Sequence, residues 1–275
     1  MKFQNFSIQE ILEKMLNLEI RIEVQQELLG NIKIEKHQMY KWRRLNSFPL
    51  HFISKKYRNL LKNVKYIKSG TGSAHSKIRI PEKFSKDLAY LMGAMRDGSL
   101  IKSRGKHFVR LYDTADAKWI SSVKEIFSKL FETEMHLRYN KKFDVAYLEI
   151  SSKPLFSLMK ILFENNMHKD VPEIIKTAPL EIQKSYIEGF FDAEGHVPHK
   201  NTKRYQIDFT QKDPKSLEFV KKFLENFGIK CGKISTHRLP IYGKENLSKF
   251  HENFTFLNLE KSKRLKFLFE APPSG

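Results

Sequence analysis

The stretch Ser185–Gly195, SYIEGFFDAEG, combines a close-packing face, a carboxylate and a helix stop in one short segment. In a helix, Gly189 and Ala193 share a face that lets another backbone approach closely. Tyr186, Ile187, Phe190 and Phe191 then fill the flanking faces as core. Glu194 falls in the last turn, ahead of Gly195, the residue type that ends helices in the left-handed conformation. A carboxylate at the negative end of the helix dipole invites a cation as partner, most obviously a divalent metal. A second copy lies upstream in Leu88–Ser99, LAYLMGAMRDGS, where Ala89 and Gly93 are spaced by four and Asp97 precedes Gly98. Two such helices packed through their small faces bring Asp97 and Glu194 together.

Ile187–Gly195, IEGFFDAEG, resembles the signature of the LAGLIDADG homing endonucleases, and Tyr90–Gly98, YLMGAMRDG, resembles a looser first copy. Met92 stands where the family has its first glycine, and Gly93 falls one place late; this leaves the packing of the first helix open and Asp97 as the acid. The resemblance covers about 84–270 and implies metal-dependent hydrolysis of phosphodiesters in double-stranded DNA. The family's two acids, one per strand, map to Asp97 and Glu194, which are also the implied Mg²⁺ ligands. Similar enzymes place a lysine between the fourth strand and the last helix of each half, a position held by Lys153 in SSKPLFSLMK and Lys244 in YGKENLSKF. Gln211 in FTQKD matches a family glutamine that positions water, and Asp113 stands at the equivalent place in the first half. Two motifs in one chain imply a monomer acting on a long, asymmetric DNA site.

The chain has 275 residues, with Lys+Arg 50 against Asp+Glu 31 for a formal charge of +19, a balance that favours a polyanionic partner such as nucleic acid. One cysteine, Cys231, excludes a disulfide framework and a cysteine metal cluster. No apolar run reaches membrane-spanning length, and Met1–Leu18 reads as an amphipathic segment rather than a signal peptide, so a cytoplasmic location is expected.

Residues 1–68 are expected to form an all-α module. Ser7 caps its first helix with Glu10 three places on, and further helices are expected at about 20–30, 36–46 and 50–63. A basic helix bearing Lys41, Trp42, Arg43 and Arg44 suits the recognition helix of a helix-turn-helix; a helical cap that only packs on the rest is the other reading. Between Glu35 and Glu82 there is no acid, while cations run from Lys41 to Arg79. Residues 69–80, containing SGTGSAHSK, read as a linker.

From there the order helix, two strands, helix, two strands, helix occurs twice, over 81–176 and 177–271. It predicts an α+β fold of two pseudo-symmetric αββαββα half-domains with antiparallel, saddle-shaped sheets. Pro81 and Pro179 are expected to open the two motif helices. Val109, Leu111, Ile207 and Phe209 should face the core, and Phe108, Arg110, Gln206 and Asp208 the other side. An antiparallel ribbon can enter the major groove. The candidate DNA contacts are therefore Lys102, Arg104, Lys106, Arg110, Arg138, Lys142, Lys200, Lys203, Arg204, Gln206, Asp208 and Arg238, with Lys41, Arg43 and Arg44 in the N-terminal module. A non-cleaving DNA-binding regulator and an intron RNA splicing maturase are the alternatives on the same fold.

Overall fold

A computed structural model describes residues 7–25, 28, 32–33, 40–42, 44–70, 77–113, 117–142, 145–198 and 205–270. Two helices form its centre. Helix Lys86–Ala94 (α3) is capped by Ser85, whose Oγ accepts from the Leu88 amide at 3.2 Å. Its residues Leu88 to Ala94 are all buried, as expected of a helix apolar all round. Helix Leu180–Glu194 (α7) runs from Pro179 to Gly195 and is likewise buried through its second half. Pro179 is the N-cap of α7, whereas Pro81 lies outside α3: Ser85, with a side-chain acceptor that Pro lacks, starts that helix.

The first half-domain continues from α3 through a 3-10 turn, Met95–Asp97, into strands Gly98–Ser103 (β5) and Lys106–Asp113 (β6). Helix Ala117–Phe131 (α4), strands His136–Asn140 (β7) and Val145–Ser151 (β8), and helix Lys153–Leu162 (α5) follow. The antiparallel sheet has the order β5-β6-β8-β7. Short helix Glu173–Lys176 (α6) leads to α7. The second half repeats the plan with Gly195–His196 (β9), Gln206–Thr210 (β10), helix Pro214–Glu225 (α8) capped by Asp213, Arg238–Tyr242 (β11), and helices Lys244–Asn253 (α9) and Leu259–Glu270 (α10). Its sheet has the order β11-β10-β9, and the segment before β11 contributes only isolated bridges, Cys231 with Ile241 and Ser235 with Arg238. Burial pushes the Cys231 thiol up to about 12, which suits packing rather than nucleophilic chemistry.

Val109, Leu111, Ile207 and Phe209 are buried against the motif helices, as the alternation predicts. In the second half the core is aromatic: Phe191 packs on Phe209, Phe250 and Phe256 at 4.9–5.0 Å between ring centroids.

The N-terminal module is not all-α. After helix Ile8–Lys14 (α1), capped by Ser7, strands Arg21–Glu23 (β1), Phe48–Pro49 (β2), Tyr66–Lys68 (β3) and Ile78–Arg79 (β4) form a sheet of order β2-β1-β3-β4. Helix Leu50–Lys56 (α2) and a 3-10 turn over Arg58–Asn63 cover it. Within the expected helix at 20–30, Arg21–Glu23 is a strand because Ile20, Ile22 and Val24 alternate into the core, a period of two that overrides helix propensity; residues 26, 27, 29 and 30 lie outside the described residues. The end of the expected linker is β4, and residues 71–76 lie outside the described residues. The module docks on the first half-domain: Arg79 bonds Glu132 at 2.8 Å and Tyr66 bonds the same carboxylate at 2.6 Å. Among the described residues no helix is long and apolar enough to cross a membrane.

Candidate active site and nucleic-acid face

Helices α3 and α7 cross backbone to backbone. A Cβ on Gly93 would lie 2.0 Å from the Tyr186 carbonyl oxygen, and one on Gly189 would lie 2.1 Å from the Tyr90 carbonyl oxygen. Gly93 is therefore the close-contact residue of the first helix, although it stands one place nearer its acid than Gly189 does. The chain compensates by winding. Met95–Asp97 is a 3-10 turn, whereas α7 stays α-helical to Glu194. An α-helix rises about 1.5 Å per residue and a 3-10 helix about 2.0 Å. One α step and three 3-10 steps from Gly93 to Asp97 thus advance about 7.5 Å, the same as five α steps from Gly189 to Glu194. The 3-10 turn also packs against α7. By these rises Asp97 and Glu194 fall about equally far from the crossing glycines, each immediately before the first strand of its sheet.

Glu194 is half-buried, and burial raises its carboxyl pKa above the ordinary value, with Arg96 and Lys261 pulling the other way. Lys261, on α10, donates from Nζ to the carbonyls of Phe191, Asp192 and Ala193 at 3.2, 2.7 and 3.2 Å. It thereby neutralises the negative end of α7 behind the acid. Arg96 is 1% exposed and donates to the Lys169 carbonyl and to Ser216 Oγ, both at 2.6 Å, with its guanidinium 5.4 Å from the centroid of Phe190. Neither cation was singled out from sequence.

A buried hydrogen-bond chain ties the halves together. Trp119 Nε1 donates to Tyr90 Oη at 2.7 Å, and Tyr90 donates to Asp192 Oδ2 at 2.5 Å. Asp192 Oδ2 also accepts from the Leu257 amide at 2.8 Å. Burial lifts the Asp192 carboxyl to about 6 and, with the nearby Asp192 charge, raises Tyr90 well above its ordinary value.

At the same end of the second sheet, Gln211 follows β10. Its amide donates to the His237 carbonyl at 2.8 Å, and its side-chain Oε1 accepts from the Lys212 amide at 2.9 Å. Gln211 Nε2 is buried with no hydrogen-bond partner among the described residues. Lys212, which the sequence reading passed over, adjoins it at this end of the strand.

Residues 181–255 match the LAGLIDADG-like domain family. Over 207 residues, 68% of the chain, the sequence is 30% identical to the homing endonuclease I-ApeI of Aeropyrum pernix and covers 89% of it. The chain belongs to the LAGLIDADG homing endonuclease family. It is also 30% identical over 197 residues to the tRNA-splicing ligase RtcB of Pyrococcus furiosus, a match that takes in 59% of this chain and 20% of that protein's length. A solved structure of mesophilic variants from the homing endonuclease I-DmoI is similar at a TM-score of 0.49 and 19% identity, covering 63% of this chain and 94% of that one.

In this LAGLIDADG chain the register places the remaining candidates. Gly98 faces Leu111 and Gly195 faces Phe209, which marks the acid end of each sheet. β8 runs parallel to β5, so Lys153, just past Ser151, lies at the opposite end of its sheet from Asp97. Lys244 lies beyond Tyr242, which pairs with Gln206, again at the far end from Glu194. The structure thus does not bring either lysine to the acids. Lys153 bonds Glu19 at 3.0 Å, and Lys244 sits 4.8 Å from the centroid of the Tyr205 ring.

The outer face of the first sheet carries Phe108, Arg110, Glu149 and Arg138. Arg110 bonds Glu149 at 2.6 Å and Arg138 approaches it to 4.0 Å. Arg104 is in the exposed hairpin turn with φ +47, beside the exposed Lys106. Lys142 is exposed in the turn after β7. Lys102 is the exception. It pairs with His107, which shares its face with Val109 and Leu111, so Lys102 points to the helix side of the sheet. In the second half Gln206 donates to Asp208 at 2.9 Å on the outer face, where Arg238 is exposed. Lys41 is exposed, and Arg44 lies 5.6 Å from the Tyr40 ring. Arg43, Lys200, Lys203, Arg204 and the side chain of Asp113 lie outside the described residues.

Proposed function

We propose that this chain is a site-specific endonuclease that hydrolyses double-stranded DNA, acting as a monomer through one acid per strand, Asp97 and Glu194. The observation that supports the reading is the reciprocal Gly93–Gly189 crossing, beyond which each helical run ends in a carboxylate, Asp97 or Glu194. A crossing built only for packing gains nothing from a 3-10 turn that restores the level of an acid.

Asp97 and Glu194 would hold a divalent cation. Among the described residues no group of three or more His, Cys, Asp or Glu could enclose one. Two hard oxygen donors, completed by water and phosphate oxygens, suit Mg²⁺, which is commonly held by one or two carboxylates plus substrate phosphate. When bound, the cation supplies charge relief on the phosphate and a more acidic water. Lys261 keeps the end of α7 neutral, so Glu194 can be ionised despite its burial. Gln211 Nε2 offers a pre-positioned donor to a water or phosphate oxygen, and Lys212 adds a cation beside it. Arg104, Lys106, Arg110, Arg138, Gln206 and Arg238 form the groove-facing surface, with phosphate contacts setting position and base contacts setting specificity.

The test is incubation with a random-site double-stranded DNA library and Mg²⁺, scored for double-strand breaks. Wild-type protein should cut, while Asp97→Asn and Glu194→Gln should lose double-strand cleavage and keep DNA binding in calcium. Binding without cleavage by the wild type would return the chain to the non-cleaving regulator. Sedimentation of the active species as a dimer would overturn the monomer.

A further inference from the structure

We infer that a cavity of about 610 Å³ between the N-terminal module and the first half-domain is a binding site for a nucleoside phosphate. It lies on the helix side of the first sheet, away from the outer face. Lys14 of α1, Lys102 of β5, and Lys153 and Lys160 of α5 supply cations from three separate elements, and Leu18 and Phe156 supply apolar wall. The half-buried ring of His107 sits edge-on to Phe156, 5.0 Å between centroids. Burial, helped by Lys102 and Lys153, holds the His107 pKa below its ordinary value. This favours the neutral imidazole, a form that can donate or accept a hydrogen bond.

The charge is one-sided. Against four lysines stand Glu164 on the lining and Glu19, whose carboxylate bonds Lys153 at 3.0 Å while its side chain is 89% exposed. Cations brought together by folding repel one another unless an anion joins them. Glu19 demonstrates that Lys153 accepts an oxyanion here, and a carboxylate so exposed can be displaced by a phosphate. The apolar wall argues for more than an inorganic ion. A planar base can lie against Phe156 while its phosphates reach the lysines, and the volume falls in the range of small-molecule sites. Lys102 belongs to this cavity rather than to the sheet's outer face, so the ligand is not a duplex lying on that face.

The nucleotide can be free or the unpaired end of a strand. Calorimetric titration of the full chain with ATP, inorganic triphosphate and a short 5′-phosphorylated oligothymidylate separates these sources. Saturable binding of ATP alone assigns a free nucleotide, and competition by the oligonucleotide assigns a strand end. Either affinity should fall about tenfold or more in Lys153→Met, as for loss of a charged hydrogen bond. Glu19→Gln should tighten binding. Phe156→Leu should weaken ATP but not triphosphate. Absence of saturable binding, or affinity unchanged in a combined Lys153→Met and Lys160→Met variant, would overturn the site. Triphosphate binding as tightly as ATP would overturn recognition of the nucleoside. These readouts are independent of DNA cleavage, so the site and the nuclease stand or fall separately.

Discussion

Tyr90 on one motif helix donates its phenolic proton to Asp192 on the other at 2.5 Å, a buried hydrogen bond between the two halves of the molecule. The carboxylate belongs to the helix that carries Glu194, and the phenol to the helix that leads to Asp97.

Replacing Tyr90 with Phe leaves a buried carboxylate short of a donor. Loss of about 1–3 kcal/mol of stability is expected, read by urea denaturation at pH 7. Asp192→Asn in the same background should recover part of the loss, because the neutral amide has no charge to desolvate.

The pH dependence follows from the Asp192 carboxyl at about 6, well above the ordinary aspartate value. Between about pH 4 and pH 6 the folded chain holds a proton that the unfolded chain has released, so this group lowers stability as pH rises through that window. The effect is complete above the folded value and absent below the unfolded one. The difference in stability between wild type and Asp192→Asn, measured from pH 4 to 7, should slope in that sense.

A methyl group at the crossing has nowhere to go. Gly189→Ala would drive Cβ into the Tyr90 carbonyl oxygen, and the helices must separate to admit it. Destabilisation of about 3 kcal/mol or more is expected, at the upper end of overpacking effects. Thermal melting should register it, and a shift below about 1 kcal/mol would mean that the crossing is looser than described.

Lys261→Met removes both a helix cap and a positive charge near Glu194. The Glu194 carboxyl, already raised by burial, should rise further. Any cleavage step that needs the ionised acid should then require higher pH, so the acid limb of the rate profile should move upward for the strand that the proposed mechanism assigns to Glu194. An unmoved limb would confine Lys261 to packing.

In the N-terminal module Lys68 and Lys77 both bond Glu23, at 2.8 and 2.7 Å. Lys68→Met with Lys77→Met should therefore leave the salt dependence of DNA binding unchanged. Loss of Lys41 and Arg44 should flatten it by about 0.9 per phosphate released. Equal slopes in all variants would remove the module from the DNA contact.

The motif helices, the close approach at Gly189 and the Asp213 cap were legible because each is signalled within a short stretch of chain. The strand at Arg21–Glu23 was signalled by the alternation of Ile20, Ile22 and Val24, but its partner Tyr66–Lys68 lies far along the chain and no local pattern announces the pairing. Lys102 was misplaced for want of register. Arg104 and Gly105, with φ of +47 and +75, make a two-residue turn, and that turn fixes which side chains share a face. Lys153 and Lys244 were credited with the right position in chain order, yet the strand preceding each runs away from the acid. Lys261 left no local sign, since it reaches α7 from a helix whose docking depends on the tertiary fold.

The 3-10 turn at Met95–Asp97 bears on how such proteins are found and how they diverge. A motif defined by counting residues from glycine to acid assumes constant winding, whereas in this chain the close-contact glycine of the first helix stands one residue nearer its acid and the last turn is 3-10. The matched domain family begins at residue 181 and takes in only the second copy. One residue fewer inside such a helix can be offset by winding the last turn as 3-10, which rises about 0.5 Å more per residue. Family membership is better tested by asking whether each acid reaches the same height above the crossing than by asking how many residues it took to get there.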